Sequence, residues 1–292
     1  MFALLLAGYG KRQRMQIVTS QHQDDAFVAE RSEGTGHISF RKRGDDTVLD
    51  HLYQEGCAKI RLPRTYETKD PLAVLINTSG GLTGGDRLQF KVEAQPGARV
   101  VATSQAQEKI YRSPGGDADV LTELRVGPDA ILHWVPQETI LFDGARLRRR
   151  VDIDLDTTAS FIGVEALIFG RTARGEAMTS GMVRESWRLR RDNRLIFADE
   201  TKLDDAPASI LEHPASASGD AAIATLVMAG GDLDFYRDAL RALALETVGT
   251  SIVNDVLVTR MTAETGARLR SKLVAALNVL QNGAPLPKVW SC

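Results

Sequence analysis

From about residue 37 to residue 201, apolar positions recur at every second residue in short runs separated by turn-forming residues, the pattern of half-buried β-strands. Leu88, Phe90 and Val92 alternate with polar neighbours, and the run stops at Gln95-Pro96-Gly97-Ala98, where Pro and Gly supply turn geometry before a new strand opens at Val100. The same grammar recurs at Gly127-Pro128-Asp129 ahead of ILHWV. Asp192-Asn193, between SWRLR and RLIFAD, predicts a hairpin, because Asn tolerates the positive φ of a tight turn. Val151, Ile153 and Leu155 alternate with Asp152, Asp154 and Asp156, which gives that strand one dry and one wet face. Arg146, Arg148, Arg149 and Arg150 read as the wet side of a strand facing these aspartates.

Late in the chain the period changes. Leu233, Tyr236, Leu240 and Leu243 lie on one stripe of a helix that Asp232 would N-cap. A strand over residues 252–259 follows, then a second helix with the stripe Leu269, Leu273, Leu277 and Leu280, ended by Asn282-Gly283 with Pro285 beyond. The chain is therefore expected to be mainly β, with a few α-helices near the C-terminus and no repeat of fixed length visible. The nearest thing to a seam is HPASASGD at 213–220, so residues 31–292 are expected to form a single domain and residues 1–30 a flexible extension.

Composition narrows the function. The 292 residues are 43% hydrophobic and 25% charged, ordinary for a globular protein with a large core. A formal charge of −2 carries no basic excess to draw in nucleic acid or anionic lipid. Two cysteines, Cys57 and Cys292, are too few for a disulfide framework and point to a reducing compartment, the cytoplasm. The start MFALLLAGYGKRQRM is not expected to be a signal peptide, since its apolar run is short and its positive charges follow that run. No uncharged apolar stretch approaches the roughly 20 residues that span a bilayer.

The glycine-rich stretch NTSGGLTGGD (77–86) invites a phosphate-loop reading and fails it. Gly80 and Gly85 have the P-loop separation, but Asp86 and Arg87 stand where Lys and Ser/Thr belong, and an alternating strand follows instead of a helix. It lacks the dinucleotide fingerprint as well. A turn between LAVLI and RLQFKV accounts for part of it, but four glycines exceed what one turn needs, which suggests backbone packed closely against another surface with Asp86 at its edge. The five histidines form no metal-binding spacing, and His133 beside Trp134 reads as a strand residue. No G-x-S-x-G elbow appears. Glu138 and Asp143 are candidates for an acid/base pair, set against the simpler reading of a solvated loop. Arg171 and Arg174 suit an anion clamp or an interface.

Taken in order, NTSGGLTGGD, TSQAQEKIYRS, PQETILFDGA, EALIFGRTARGE and SWRLRRDNRLIFADET are similar to the motifs of the urease accessory protein D family, called H in some bacteria. The resemblance runs from about residue 36 to the last helix. It implies a stacked-sheet, solenoid-like body and a role in assembly rather than turnover. A protein of this kind binds urease apoprotein and joins the helical accessory protein F and, through F, the GTPase accessory protein G, so that nickel is delivered and the urease active-site lysine is carbamylated. It implies no tightly bound cofactor, with nickel as transient cargo. The resemblance places Asn77, Gly80, Gly81, Gly84, Gly85, Asp86, Gln105, Lys109, Tyr111, Arg112, Arg171 and Arg174 at partner-binding surfaces or in their support. Asp86, Glu138, Asp143 and Glu176 then line or border a wet path for nickel. Two other classes compete: a carbohydrate-active enzyme using Glu138 and Asp143, which the 6% aromatic content disfavours, and a purely structural subunit.

Overall fold

The computed structural model describes residues 30–64, 68–171 and 174–291. The chain divides into two units, Met1–Glu30 and Arg31–Cys292, and every described strand and helix belongs to the second. The expected N-terminal extension lies outside the described residues, apart from Glu30.

The described elements run β1 (Glu33–Arg43), β2 (Asp46–Gly56), β3 (Ala58–Arg61), β4 (Leu72–Asn77), β5 (Arg87–Ala94), β6 (Arg99–Ser104), β7 (Glu108–Ile110), β8 (Ala118–Val126), β9 (Ile131–Trp134), β10 (Thr139–Leu141), β11 (Arg146–Leu155), β12 (Ser160–Phe169), β13 (Gly181–Arg191) and β14 (Arg194–Asp205). Then come α1 (Pro207–Glu212), β15 (Ala222–Ala229), α2 (Leu233–Ala242), β16 (Val248–Val253), β17 (Val256–Ala263) and α3 (Gly266–Leu280). The mainly β reading holds, and the helices fall in the last third of the chain.

Two sheets face each other. The first has the order β14-β13-β11-β8-β5-β1-β2, and the second runs β16-β17-β15-β12-β9-β6-β4-β3, with β10 and β7 beside it. The middle of each sheet is parallel, and the chain reaches it by coiling. It passes along the second sheet, turns a corner, returns along the first sheet, and repeats. Successive coils are β4–β5, β6–β8, β9–β11 and β12–β13. Leu72 pairs with Val101, Leu88 with Val120, and Leu141 with Phe169, so coils stack at about 30 residues apart. This solenoid-like stacking is a structural repeat that the sequence did not display, because the corners differ in length and composition.

Inward alternation builds the core between the sheets, with Phe40, Phe161 and Trp187 among its largest side chains. A second core lies between the outer face of the second sheet and α2 and α3, which explains why FIGVEALIF in β12 is buried on both faces. The α3 stripe Leu269, Leu273, Leu277 and Leu280 enters it whole. Asp232 caps α2 by accepting the Phe235 N–H at 3.0 Å.

Two expectations change. The strand over 252–259 is the tip of an antiparallel hairpin, β16–β17, that turns at Asn254-Asp255 with φ of 47° and 59°. Such a turn needs two positive φ values, and this Asn-Asp pair is an overlooked signal of the kind correctly read at Asp192-Asn193, where φ is 48° and 64°. Arg149 is the second correction. It shares the parity of Leu147 and Val151, points inward, and is buried, whereas Arg146, Arg148 and Arg150 lie on the outer face.

Candidate functional site

Coil stacking brings the sequence-distant motifs to one edge of the two sheets. The glycine stretch is the corner of the first coil, residues 110–117 that of the second, 142–145 that of the third, and the described residues 170–171 and 174–180 belong to that of the fourth. Backbone bonds tie them in sequence: Leu82 N–H donates to Lys109 O at 2.8 Å, Phe142 N–H to Ile110 O at 2.9 Å, and Gly144 N–H to Ser180 O at 3.0 Å.

Gly81 and Gly84 are what this stacking requires. A Cβ on Gly81 would lie 2.4 Å from the Tyr111 ring, and one on Gly84 would lie 2.1 Å from Ser113 Oγ and 2.3 Å from Gly115 O. Asp86 is buried and organises the corner, its two oxygens accepting the Ser32 N–H at 2.8 Å and the Thr83 N–H at 2.7 Å. Asn77 Oδ1 accepts the Ser79 N–H at 3.0 Å. Tyr111 donates its hydroxyl to Gly80 O at 3.0 Å and meets Phe142 edge-on at 5.0 Å.

Arg112 pairs with Asp143 at 2.6 Å. The other Asp143 oxygen accepts the N–H groups of Thr179 and Ser180, each at 2.9 Å. Burial alone would raise this carboxyl, but the Ser180 and Thr179 donors outweigh it and hold it below the usual carboxylate range. The Asp143 N–H, with Arg171, likewise lowers Glu176. Arg171 pairs with Glu176 and lies 4.4 Å over the Phe142 ring, while Arg174 is exposed, as are Gln105 and Lys109.

Glu138 stands apart from this edge. It is fully buried, which overturns the solvated-loop reading, and its carboxylate takes Nε and Nη2 of Arg270 from α3 at 3.0 and 2.6 Å. Glu138 and Asp143 thus serve different cations and share no partner. His133 lies on the outer face of β9, its pKa pushed down to about 4 by burial, with Arg99 adding to the effect.

Between the sheets lies a cavity of about 220 Å³ whose polar lining includes Asn77, Gln107, Glu108, Thr139, Arg149 and Glu165. Arg149 is its hub. It donates to Glu185 at 2.7 Å and to Thr139 Oγ1 at 2.8 Å, and pairs with Glu165 at 2.9 Å. Trp134 Nε1 donates to the other Glu165 oxygen at 2.9 Å, and Asn77 Nδ2 reaches Glu108 at 3.2 Å. Arg149 thus pairs with Glu165 and Glu185, and Glu108, Lys109, Arg149 and Glu165 are the charged groups of the cavity lining. Burial pushes Glu165 up to about 7 against the pull of Arg149, and burial also raises Glu108. Among the described residues no cluster of three or more His, Cys, Asp or Glu is placed to hold a metal ion. Glu108, Arg149, Glu165 and Glu185 were not predicted as site residues. Parity was the usable signal, since Glu185 lies in phase with Val183 and Trp187, and Glu165 sits inside an otherwise apolar strand.

No described helix is long and apolar enough to cross a membrane. The sequence model of a family described as UreD urease accessory protein matches residues 32–291. A protein from Rhizobium johnstonii named urease accessory protein UreD is 47% identical over 263 residues, covering 90% of this chain and 96% of its own length. Proteins of the same name from Rhizobium rhizogenes and Chelativorans are 47% and 44% identical, covering 90% and 92% of this chain and 96% and 98% of theirs.

Proposed function

The chain belongs to the UreD family of urease accessory proteins and so has a role in urease maturation, and from that premise we propose that it works as a scaffold with no turnover of its own. In this reading it binds urease apoprotein and the helical accessory protein F, and through F the GTPase accessory protein G. It does so in the cytoplasm, with nickel as transient cargo and no tightly held cofactor.

The observation that carries the cargo reading is the internal cavity, whose lining brings the carboxylates Glu108 and Glu165 together with the amides of Asn77 and Gln107. Carboxylate and amide oxygens are ligands that a divalent cation accepts, and scattered ones release it again, as a transit route requires. Glu108 and Glu165 supply the lining. Asp86, Asp143 and Glu176 border the route by holding its corner loops, and Glu138 closes its α3 side. The stacked corners, with Lys109, Tyr111, Arg112, Arg171 and Arg174 around the close-packed Gly81 and Gly84 and beside Gly80 and Gly85, form the face offered to partners. Aromatic and arginine side chains commonly anchor such faces.

The test is to coexpress urease, F and G with the Glu108→Gln, Glu165→Gln double variant. The route reading expects the complex to copurify intact while urease nickel content falls about tenfold or more, the scale of lost metal-binding carboxylates. Unchanged nickel content with an intact complex contradicts it.

A further inference from the structure

We propose that the internal cavity has a mouth beside the first turn of α3, closed by Gln107 and Gln137 and held shut by the Glu138–Arg270 pair. The inference rests on the cavity being the cargo route, and it adds where that route is gated.

An outer pocket of about 450 Å³ lies against Gly266, Ala267 and Arg270 of α3. It shares Gln105, Ala106, Gln107 and Gln137 with the internal cavity, so one layer of residues separates the two spaces. The two glutamine side chains are tied to one ion pair, Glu138–Arg270. Gln107 Nε2 donates to Glu138 Oε2 at 3.1 Å, and Arg270 Nη2 donates to both Glu138 and Gln137 Oε1. Arg270 is itself positioned by Trp290, whose ring lies 5.3 Å from the guanidinium and whose Nε1 donates to Val135 O at 3.0 Å.

Two features mark this as a gate rather than ordinary core. Gln137 Nε2 is buried without a protein acceptor, although buried amide donors rarely go unpaired, so the layer suits contact with water. The tie also crosses from the coil stack to the first turn of α3, so withdrawal of the Arg270 side chain frees both glutamines together, without breaking a strand pairing. An alternative closure by packed apolar side chains would need several residues to move at once.

The experiment reads access to the cavity without nickel. In a Cys57→Ser, Cys292→Ser background, Thr122→Cys places a thiol on the cavity wall at a position 3% exposed. Ala276→Cys, fully buried under α3, reports detachment of the helix. Adding Arg270→Ala should speed modification of the Thr122→Cys thiol by a small cationic methanethiosulfonate reagent by about tenfold or more, with the Ala276→Cys thiol unchanged, as expected for local opening. The Arg270→Leu, Glu138→Gln double variant removes the tie without leaving a buried charge alone and should give the same result. No increase at Thr122→Cys in the folded double variant overturns the proposal, and so does an equal increase at Ala276→Cys. Because nickel is absent from the readout, a working gate can be found even if the cargo reading fails. A failed gate likewise leaves the nickel measurement above to stand on its own.

Discussion

Arg149 is turned inward by the same alternation that buries Leu147 and Val151, and the buried charge makes its surroundings. A guanidinium placed between two sheets requires carboxylates, and Glu165 and Glu185 arrive from the neighbouring coil and strand to meet it. Glu165 then titrates near neutrality. Its pKa rises from 4.5 to about 7, first through burial, with Glu185 adding to the rise and Arg149 opposing it. A carboxyl that ionises later in the fold than in the unfolded chain contributes stability that is fully present below about pH 4.5 and is lost as pH rises to about 7. Glu165→Gln removes that slope. Thermal unfolding from about pH 5 to about pH 8 should show the variant gaining on the wild type, by on the order of 2–3 kcal/mol across the range. A difference that does not change with pH contradicts the assignment.

At the scale of elements, alternation and turn residues made the strands legible, including the wet and dry faces of β5 and β11 and the hairpin at Asp192-Asn193. The way the strands pair was not legible, since a strand in a parallel coil and one in an antiparallel hairpin alternate alike. The glycine stretch marks the boundary. Its excess glycines pointed to close packing, which the Gly81 and Gly84 contacts display, but the surface it packs on is the next corner of the same chain. The four glycines are therefore not equivalent. Gly84→Ala forces a Cβ onto Ser113 and Gly115 and should cost about 2–3 kcal/mol in urea unfolding. Gly80 has open space around it at φ 79°, so Gly80→Ala carries only backbone strain, about 1 kcal/mol. Equal losses at the two positions would contradict the stacked-corner account.

For the whole molecule, motif order made the family legible while single residues did not make the site legible. Asp86, Asp143 and Glu176 stood out because they punctuate the corners, and they hold backbone there. Glu108, Glu165 and Glu185 stayed unassigned because parity can show that an acid points inward but not which group of another strand it meets. Membership of the urease accessory family gives the chain a role in urease maturation, in which the proposed corner face meets partners and the proposed polar interior carries cargo. The measurement that tests this most directly is the nickel content and activity of urease purified from cells expressing its subunits with F and G, with and without this chain. The account predicts metal-poor, inactive urease without the chain, and, with it, nickel-loaded enzyme and copurification of the chain with urease, F and G. Fully metallated, active urease in its absence would contradict the account.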